Sequence, residues 1–265
     1  AAFSELAPLP KNINSKFAEM GASLSKSGDT LFFSSDRPGG MGGFDIYMSR
    51  KLPDGSWGIP QNMGEPINTP YDENFPYITA NGYFLYFSSN GPGSMGGYDV
   101  FVSDAVDDGR WTQPRNLGYP INDLYDNFNV IYTMNGRYGY TSRYDKNGTG
   151  GMDIFRIIME DIPPTNVVYT GNLLYGTADK NVPVHEKTSV FESLDFYVTD
   201  DKSGKEVSRV SVNARNSKYT FALLPGKYTV TIKGTGFAPY TRSIFIADEQ
   251  PVETVISEQI ILPPN

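Results

Sequence analysis

The sequence of 265 residues contains no cysteine and a single histidine, His185. The absence of cysteine excludes disulfides, thiolate zinc sites and cysteine nucleophiles within this chain. One histidine cannot build a histidine cluster for a metal ion, and we expect His185 to be an ordinary surface residue. No apolar run approaches the roughly 18 residues of a membrane-spanning helix. No signal peptide is visible at the first residues, so any targeting segment is expected to be removed or to lie outside this chain.

Basic residues are also scarce in the first part of the chain. Residues 1–162 hold 12 basic and 19 acidic residues, whereas residues 163–265 hold 10 and 11. An acidic domain repels phosphate backbones, which makes nucleic acid an unfavourable partner. We interpret the acidity as a solvated surface that keeps the domain soluble.

Glycine, proline and aromatic residues are plentiful, with 27 Gly, 19 Pro, 18 Tyr and 16 Phe. This composition is typical of many short strands joined by tight turns. One glycine-rich stretch, residues 91–96, matches the G-x-G-x-x-G pattern of a dinucleotide-binding loop and follows an apolar, strand-like run. That match raises the question of whether a nucleotide binds here.

The stretch belongs to a repeat with a period of 54 residues. Glycine recurs at Gly43, Gly97 and Gly151, and aspartate recurs two residues later at Asp45, Asp99 and Asp153. Tryptophan, an N-x-G segment and an Ile-Asn pair recur with the same period, the tryptophans as Trp57 and Trp111. Three copies without an insertion indicate a repeat architecture.

Each copy predicts four antiparallel strands, the pattern of a β-propeller blade. In the second copy the predicted strands cover residues 75–79, 83–88 and 98–103, and the fourth begins at Arg110. Asn81 and Gly82 predict a two-residue hairpin turn with positive φ at both positions. Trp57 and Trp111, on the predicted fourth strands, are expected to pack between blades, with stacking on a ligand as the alternative.

The repeat answers the nucleotide question. A dinucleotide fingerprint needs a helix after the glycines, whereas a strand is predicted here. The first glycine of the pattern is replaced by Arg37 and Asp145 in the other copies. We therefore expect no cofactor. Asp45, Asp99 and Asp153 are expected to cap their own loops, with a calcium-like cation site as the alternative.

The period stops after residue 162, and Pro163 and Pro164 mark a boundary between two domains, residues 1–162 and 163–265. Seven short strands are predicted in the second domain, over residues 167–174, 194–199, 209–214, 219–223, 227–233, 241–246 and 252–262. This density of alternating strands and turns predicts a β-sandwich.

The second domain contains L-L-P-G-K-Y-T-V from Leu223, then G-F-A-P-Y from Gly236. These segments resemble the carboxypeptidase-regulatory-like family, whose members are transthyretin-like sandwiches and normally non-catalytic modules. The longer segment from Asn181 to Ser193 departs from the short turn of that family. The resemblance leaves the first edge of the sandwich open.

The repeats contain L-[FY]-F-S-S-[DN] and G-G-[FY]-D-[IV]-[YF], and they resemble the PD40 (WD40-like, TolB-like) blades of bacterial envelope proteins. The order of propeller and sandwich resembles PorE-type, OmpA-family proteins of the type IX secretion system. This resemblance implies a periplasmic, outer-membrane-associated protein whose partners are envelope or secretion proteins. It also implies that any peptidoglycan contact is made by a domain outside this chain.

Propellers usually close with four to eight blades, and this sequence contains three. We therefore expect an all-β fold with a partial propeller of three four-stranded blades and a transthyretin-like sandwich. The ring is expected to be completed by blades upstream or by another chain.

Three functions compete at this point. The favoured one is a non-catalytic interaction scaffold, because a propeller offers rigid loops on both faces. An enzyme such as a glycoside hydrolase needs two facing carboxylates, for which Glu19, Glu73 and Asp104, taken as non-repeating acids, are weak candidates. A carbohydrate or cell-wall binder would use exposed aromatic residues that appear in one blade, such as Tyr144.

Overall fold

The computed structural model describes residues 5–106, 109–249 and 254–265. The fold is all-β, as the sequence predicts, and combines propeller blades with a β-sandwich. The chain divides into two compact units, one ending at Met159 and the other beginning at Glu160. This division falls just before the boundary predicted after residue 162.

The first repeat is a sheet of four antiparallel strands in chain order. The strands are β1 (Glu19–Leu24), β2 (Thr30–Ser35), β3 (Asp45–Arg50) and β4 (Gln61–Asn62). Side chains alternate across β3 because of its two-residue period, so Ile46 and Tyr47 enter different hydrophobic clusters. The third strand therefore has apolar packing on both faces.

The second repeat has the same order but divides its last strand. Its strands are β5 (Glu73–Ile78), β6 (Phe84–Ser89), β7 (Asp99–Val106), β8 (Arg110–Trp111) and β9 (Arg115–Asn116). Both β8 and β9 pair with β7, and Pro114, which has no N–H to donate, lies between them.

The prediction that the tryptophans lie on the fourth strands holds for Trp111, which is on β8, the fourth strand in its sheet order. It is wrong for Trp57, which lies outside the strands of the first repeat. The counterpart of β4 is β9, and Trp111 lies on β8, before it. Trp57 lies in the equivalent hairpin and forms a bridge with Lys51. Trp111 packs against a cluster shared by the first two repeats, whereas Trp57 packs against a cluster within the first repeat.

The turn between the first two strands also differs from the prediction. Gly82 has φ +73°, but Asn81 does not adopt a left-handed conformation. Instead Asn81 Oδ1 accepts hydrogen bonds from Thr79 Oγ1 at 2.6 Å and from the Tyr83 N–H at 3.0 Å. The turn therefore needs one glycine, and the asparagine serves as a hydrogen-bond acceptor.

The third repeat has three strands within the described residues, not the predicted four. They are β10 (Val130–Tyr132), β11 (Tyr138–Tyr144) and β12 (Met152–Ile158). Where tryptophan would recur the sequence has Thr165, and Pro163 and Pro164 remove two donors that a further strand would need. The strand β12 is therefore at the edge of its sheet.

Adjacent repeats pack through apolar and aromatic side chains. The first two share one cluster, formed by Phe32, Ile46, Ile67, Ile78, Leu85, Phe87 and Phe101. Between the second and third repeats, the rings of Tyr86 and Tyr132 lie 5.0 Å apart. Tyr77 Oη donates to the Tyr132 carbonyl at 2.8 Å.

The second unit contains two four-stranded sheets. One is formed by β13 (Val167–Gly176), β14 (Asn181–Pro183), β17 (Lys218–Leu223) and β20 (Val255–Leu262). The other is formed by β15 (Asp195–Asp200), β16 (Glu206–Arg209), β18 (Gly226–Lys233) and β19 (Tyr240–Ile246). Side chains of both sheets share one core, in which Phe196 contacts Tyr219 and Phe221.

Two segments of this unit differ from the predicted strands. The strand predicted over residues 209–214 lies earlier, as β16, and Val212 keeps an isolated bridge to Tyr219. The segment that departs from the family pattern forms β14, a 3-10 turn (Val184–Glu186) and the short helix α1 (Thr188–Glu192). The start of the last predicted strand, residues 252–253, lies outside the described residues. No helix in the described ranges is both long and apolar enough to cross a bilayer.

Candidate functional site

The connector that enters each following repeat carries an Ile-Asn pair, and its asparagine binds the preceding repeat. Asn68 Oδ1 accepts the Ile46 N–H at 2.8 Å, and Asn68 Nδ2 donates to the Ile46 carbonyl at 2.9 Å. Asn122 makes the same two bonds with Val100, at 2.9 and 2.8 Å. Both asparagines are buried. Each connector therefore fixes the third strand of one repeat to the start of the next.

The recurring glycines make room for acids of the next repeat. A Cβ at Gly43 would lie 2.1 Å from Asp72 Oδ1, and one at Gly97 would lie 2.0 Å from Asp126 Oδ1. Each of these carboxylates accepts the amide that follows the glycine, at 2.9 Å. A Cβ at Gly151, in the third repeat, would meet nothing within 4 Å.

The recurring aspartates lie at the start of the third strands: Asp45 and Asp99 are the first residues of β3 and β7, and Asp153 is the second residue of β12. Asp45 accepts the Met41 N–H at 2.6 Å, and Asp99 accepts the Met95 N–H at 2.7 Å. Burial raises the pKa of the Asp45 carboxyl above its ordinary value. In the described part of the chain, no three His, Cys, Asp or Glu side chains come together as a metal site. These bonds favour the capping interpretation, and the cation interpretation of Asp45, Asp99 and Asp153 stays a prediction.

Beside the glycine-rich loop of the first repeat, an arginine enters a small polar and aromatic slot. The guanidinium of Arg37 lies 5.0 Å from the ring centres of both Phe33 and Tyr47. Arg37 Nη2 lies 3.1 Å from Glu19 Oε1. We call this place, bounded by the two rings, the glutamate and the carbonyls of the entering connector, the arginine slot.

The connector carbonyls complete the slot. Arg37 Nη2 donates to the Ile13 carbonyl at 2.7 Å, and Nη1 donates to the Asn12 carbonyl at 3.2 Å. Arg37 Nε donates to Ser35 Oγ at 3.1 Å. The guanidinium is therefore bound by neutral acceptors, a carboxylate and two π faces at once.

The third repeat also places an arginine in its slot, but from a different sequence position. The guanidinium of Arg143 lies 5.4 Å from the ring centre of Phe155, the counterpart of Tyr47. It donates to the Pro120 carbonyl at 2.5 Å and lies 2.8 Å from Asp123 Oδ2. Arg143 aligns with Ser35 and not with Arg37. The alignment of the repeats alone therefore does not show that Arg37 and Arg143 occupy equivalent slots.

In the second repeat, the position aligned with Arg143 is Ser89 and the position aligned with Arg37 is Gly91, and both residues are short. The slot here is a cavity of about 60 Å³. The rings of Phe87 and Phe101 are stacked with centres 6.1 Å apart, nearly the 6.0 Å of Phe33 and Tyr47.

A glutamate, Glu73, lines this cavity and is buried. It accepts hydrogen bonds from the Thr69 N–H at 2.8 Å, from Thr69 Oγ1 at 2.6 Å and from Ser89 Oγ at 2.9 Å. Burial raises the pKa of the Glu73 carboxyl, and its hydrogen bonds lower that pKa by less. All three donors are uncharged.

The interpretation of Glu19 and Glu73 as non-repeating acids is wrong. They are 54 residues apart and begin β1 and β5, and Asn127 occupies the third place. Each belongs to the slot of its own repeat. Asp104 pairs with Arg115 at 3.3 Å, with both side chains largely exposed. The recurrence of the two glutamates is therefore accounted for by their contacts within the slots.

Two further candidates have ordinary surroundings. His185 is partly buried, and its Nδ1 lies 2.7 Å from Ser217 Oγ, which also accepts the His185 N–H at 2.9 Å. This pair ties the 3-10 turn to the start of β17. The ring of Tyr144 packs against that of the exposed Tyr125, with centres 4.7 Å apart and an interplanar angle of 57°. That ring pair is the aromatic surface to which the carbohydrate hypothesis applies.

No protein-family model and no curated protein matches the chain. Among solved structures, the chain is similar to TolB from Acinetobacter baumannii, with 12% identity, a TM-score of 0.34 and coverage of 82% of this chain and 40% of that one. It is similar to a putative TolB from Agrobacterium tumefaciens, with 16% identity, a TM-score of 0.30 and coverage of 87% and 83%. It is also similar to a puromycin hydrolase, with 10% identity, a TM-score of 0.36 and coverage of 86% and 27%. The chain thus spans less than half of the first and third of these proteins, and its function must be argued from its own residues.

Proposed function

We propose that this chain is a non-catalytic scaffold of the bacterial cell envelope that binds other envelope proteins. It acts in the periplasm, next to the outer membrane, as part of a longer peptidoglycan-anchored protein associated with type IX-like secretion. Its partners are outer-membrane or periplasmic secretion components.

The observation that carries this proposal is the uncovered face of the third repeat. Ile154 on β12 is the counterpart of Ile46 and Val100, both of which are 0% exposed, yet Ile154 itself is 80% exposed. An apolar position of this kind on an edge strand is typical of a surface that another protein covers.

The first two repeats indicate the kind of partner that fits this face. There a short strand pairs with the third strand, and the asparagine of an Ile-Asn connector binds the backbone of Ile46 or Val100. A partner that adds a strand to β12, followed by an Ile-Asn segment, would supply the same contacts to Ile154. Strand addition of this kind gives affinity through main-chain hydrogen bonds.

A catalytic role has less support. A glycoside hydrolase needs two carboxylates roughly 5–10 Å apart across one sugar site. Glu19 and Glu73 are instead held in the slots of separate repeats, and Glu19 is paired with Arg37. The acids that the sequence offers thus have structural partners.

The test is crosslinking and pull-down from envelope extracts, with this chain as bait. Burying an isoleucine contributes roughly 1.5–3 kcal/mol, so Ile154→Asp should reduce recovery of partners about tenfold or more. The matched control is Phe245→Asp, which changes an exposed apolar residue of the sandwich and should leave recovery unchanged. Equal recovery by wild type and Ile154→Asp would overturn this docking face, and recovery of no protein would overturn the scaffold itself.

A second candidate, a carbohydrate or cell-wall binder, is favoured by the exposed ring pair of Tyr125 and Tyr144. Aromatic faces of this kind can stack on sugars. Retention on purified peptidoglycan or glycans that is lost in Tyr144→Ala, without protein partners, would favour this candidate over the scaffold.

A further inference from the structure

The arginine slot and its counterparts in the second and third repeats differ in whether an arginine of this chain occupies them, and this difference points to a ligand. In the first and third repeats a guanidinium of this chain lies in the slot, on a ring of the third strand and beside a carboxylate. In the second repeat the residues at both arginine positions, Ser89 and Gly91, are too short to fill it. We propose that the slot of the second repeat binds the guanidinium group of an arginine side chain from a partner protein.

The walls of this slot match those of the first repeat. Every group that contacts Arg37 has a counterpart 54 residues later, and those counterparts line the cavity: Pro66, Ile67, Glu73, Phe87, Ser89 and Phe101. The two ring pairs have nearly the same separation and a similar interplanar angle, 24° in the first repeat and 19° in the second. The arrangement is therefore already built for a planar cation.

The glutamate supplies the charge. Glu73 is buried and has three uncharged donors, whereas Glu19 has Arg37 as well as its hydroxyl and amide donors. A buried carboxylate without a cationic partner is costly, and a cation that enters beside it forms a charge-assisted hydrogen bond. The carboxylate therefore favours a positively charged ligand.

The geometry selects guanidinium over ammonium. Arg37 reaches four acceptors from three of its nitrogens while its plane lies near two rings. An ammonium group has three donors and no plane with which to stack on a ring. A lysine side chain should therefore bind this slot more weakly than arginine.

The glycine at the entrance keeps the slot open. Gly91 does not have a positive φ, so its backbone does not require glycine. A Cβ there would lie 3.1 Å from Ser89 Oγ and 3.3 Å from Thr69 Oγ1, contacts that small side-chain shifts relieve. Arginine at this position is thus compatible with the fold, as Arg37 is in the first repeat.

The experiment is an NMR titration of the full chain with the peptide acetyl-Gly-Arg-Gly-amide. Shift changes centred on Gly91 are expected, and acetyl-Gly-Lys-Gly-amide should bind at least about fivefold more weakly. Methylguanidinium, as a second probe, separates recognition of the bare group from recognition of a peptide-borne side chain. Peptide binding at least as tight as methylguanidinium supports a protein source, whereas binding of methylguanidinium alone overturns it.

Three variants make the test specific to the slot. Gly91→Arg fills the slot from within and should abolish binding, whereas the matched control Tyr83→Arg, at an exposed position, should leave binding unchanged. Arg37→Gly should create a second site, with a stoichiometry of two. Glu73→Gln should weaken binding about tenfold or more through loss of a charge-assisted bond.

Absence of shift changes around Gly91, or equal binding by wild type and Gly91→Arg, would overturn the proposal. Thermal melting of each variant identifies any that fail to fold, and Arg37→Gly then provides the independent readout. The role of a protein as donor rests on the proposed scaffold function. If the chain binds the peptide but recovers no envelope protein, the slot proposal stands and the scaffold function is overturned. If it recovers envelope proteins but does not bind the peptide, the scaffold function stands and the slot proposal is overturned.

Discussion

The two units of this protein are stabilised in different ways. The sandwich has one apolar core that both of its sheets share. In its described residues, the propeller unit has two smaller apolar clusters and buries many polar side chains beside them. In the described residues, the buried polar side chains of the sandwich are Ser217 and Thr231, whereas those of the propeller include the connector asparagines and slot glutamate. Cohesion between blades therefore depends on hydrogen bonds to specific backbone groups as well as on apolar burial.

The largest expected effect is in the sandwich core. Phe196→Ala should reduce the free energy of unfolding of that unit by about 3–5 kcal/mol, because it removes a buried ring and leaves a cavity. Trp57 and Trp111 both lie in the propeller, so tryptophan fluorescence follows that unit alone while far-UV circular dichroism follows both. The dichroism transition should shift and the fluorescence transition should not. Phe245→Ala, at an exposed position, is the control, and a common shift of both transitions would contradict independent stabilisation.

The next largest effect on stability is expected from a substitution that disrupts a connector. Asn68→Ala leaves the Ile46 N–H and carbonyl without the asparagine and should cost the propeller roughly 2–3 kcal/mol. Denaturant unfolding followed by tryptophan fluorescence measures it. Asn14→Ala alters the exposed asparagine of the first connector and should change stability by less than about 0.5 kcal/mol. Equal effects of the two substitutions would show that the connector bonds contribute little.

A smaller effect tests the glycine beside the acid of the next repeat. Gly97→Ala places a Cβ against Asp126 and should destabilise the propeller by about 1–3 kcal/mol. Gly151→Ala has open space around it and should be neutral or stabilise by up to about 1 kcal/mol. Thermal melting followed by fluorescence compares the two, and a neutral Gly97→Ala would mean that the carboxylate moves aside freely.

The smallest effect is a pH dependence. The pKa of Glu73 is raised above its ordinary value of 4.5, chiefly by burial. Its contribution to stability is therefore full below that value and is lost as pH rises through the raised pKa. The stability of wild type relative to Glu73→Gln should fall over this window and then level off. Asp45, whose pKa is also raised, is present in both proteins, and its charge is one of the causes that raise the Glu73 pKa. A relative stability that rises with pH would contradict the assignment.

The sequence predicts the repeat and most of its strands because a fixed period aligns equivalent positions. Prediction from the sequence fails where the structure depends on which groups a long side chain contacts. Arg37 and Arg143 fill equivalent slots from positions that do not align, and only the contacts with the rings and connector carbonyls show this. Glu19 and Glu73 lie one period apart, so the sequence alone contradicts their interpretation as non-repeating acids.

The missing strand of the third repeat has a different cause. Strand formation at the end of each repeat depends on pairing with the third strand and on the connector that follows. After β12 the sequence changes to Pro163 and Pro164, which cannot donate. The uncovered position of Ile154 follows from that change, and a count of repeats alone predicts a complete blade there.

The connector asparagines have a consequence for how such a protein can change over evolutionary time. Asn68 and Asn122 bind the backbone of Ile46 and Val100 in the preceding repeat. Each also donates to the side-chain oxygen of one recurring asparagine there, Asn62 or Asn116. The backbone part of this contact does not depend on which residue stands at position 46 or 100, and its side-chain partner recurs with the 54-residue period. Duplication or deletion of one 54-residue cassette would create a new junction with the same hydrogen bonds already in place. Blade number can then vary between descendants without the invention of a new interface.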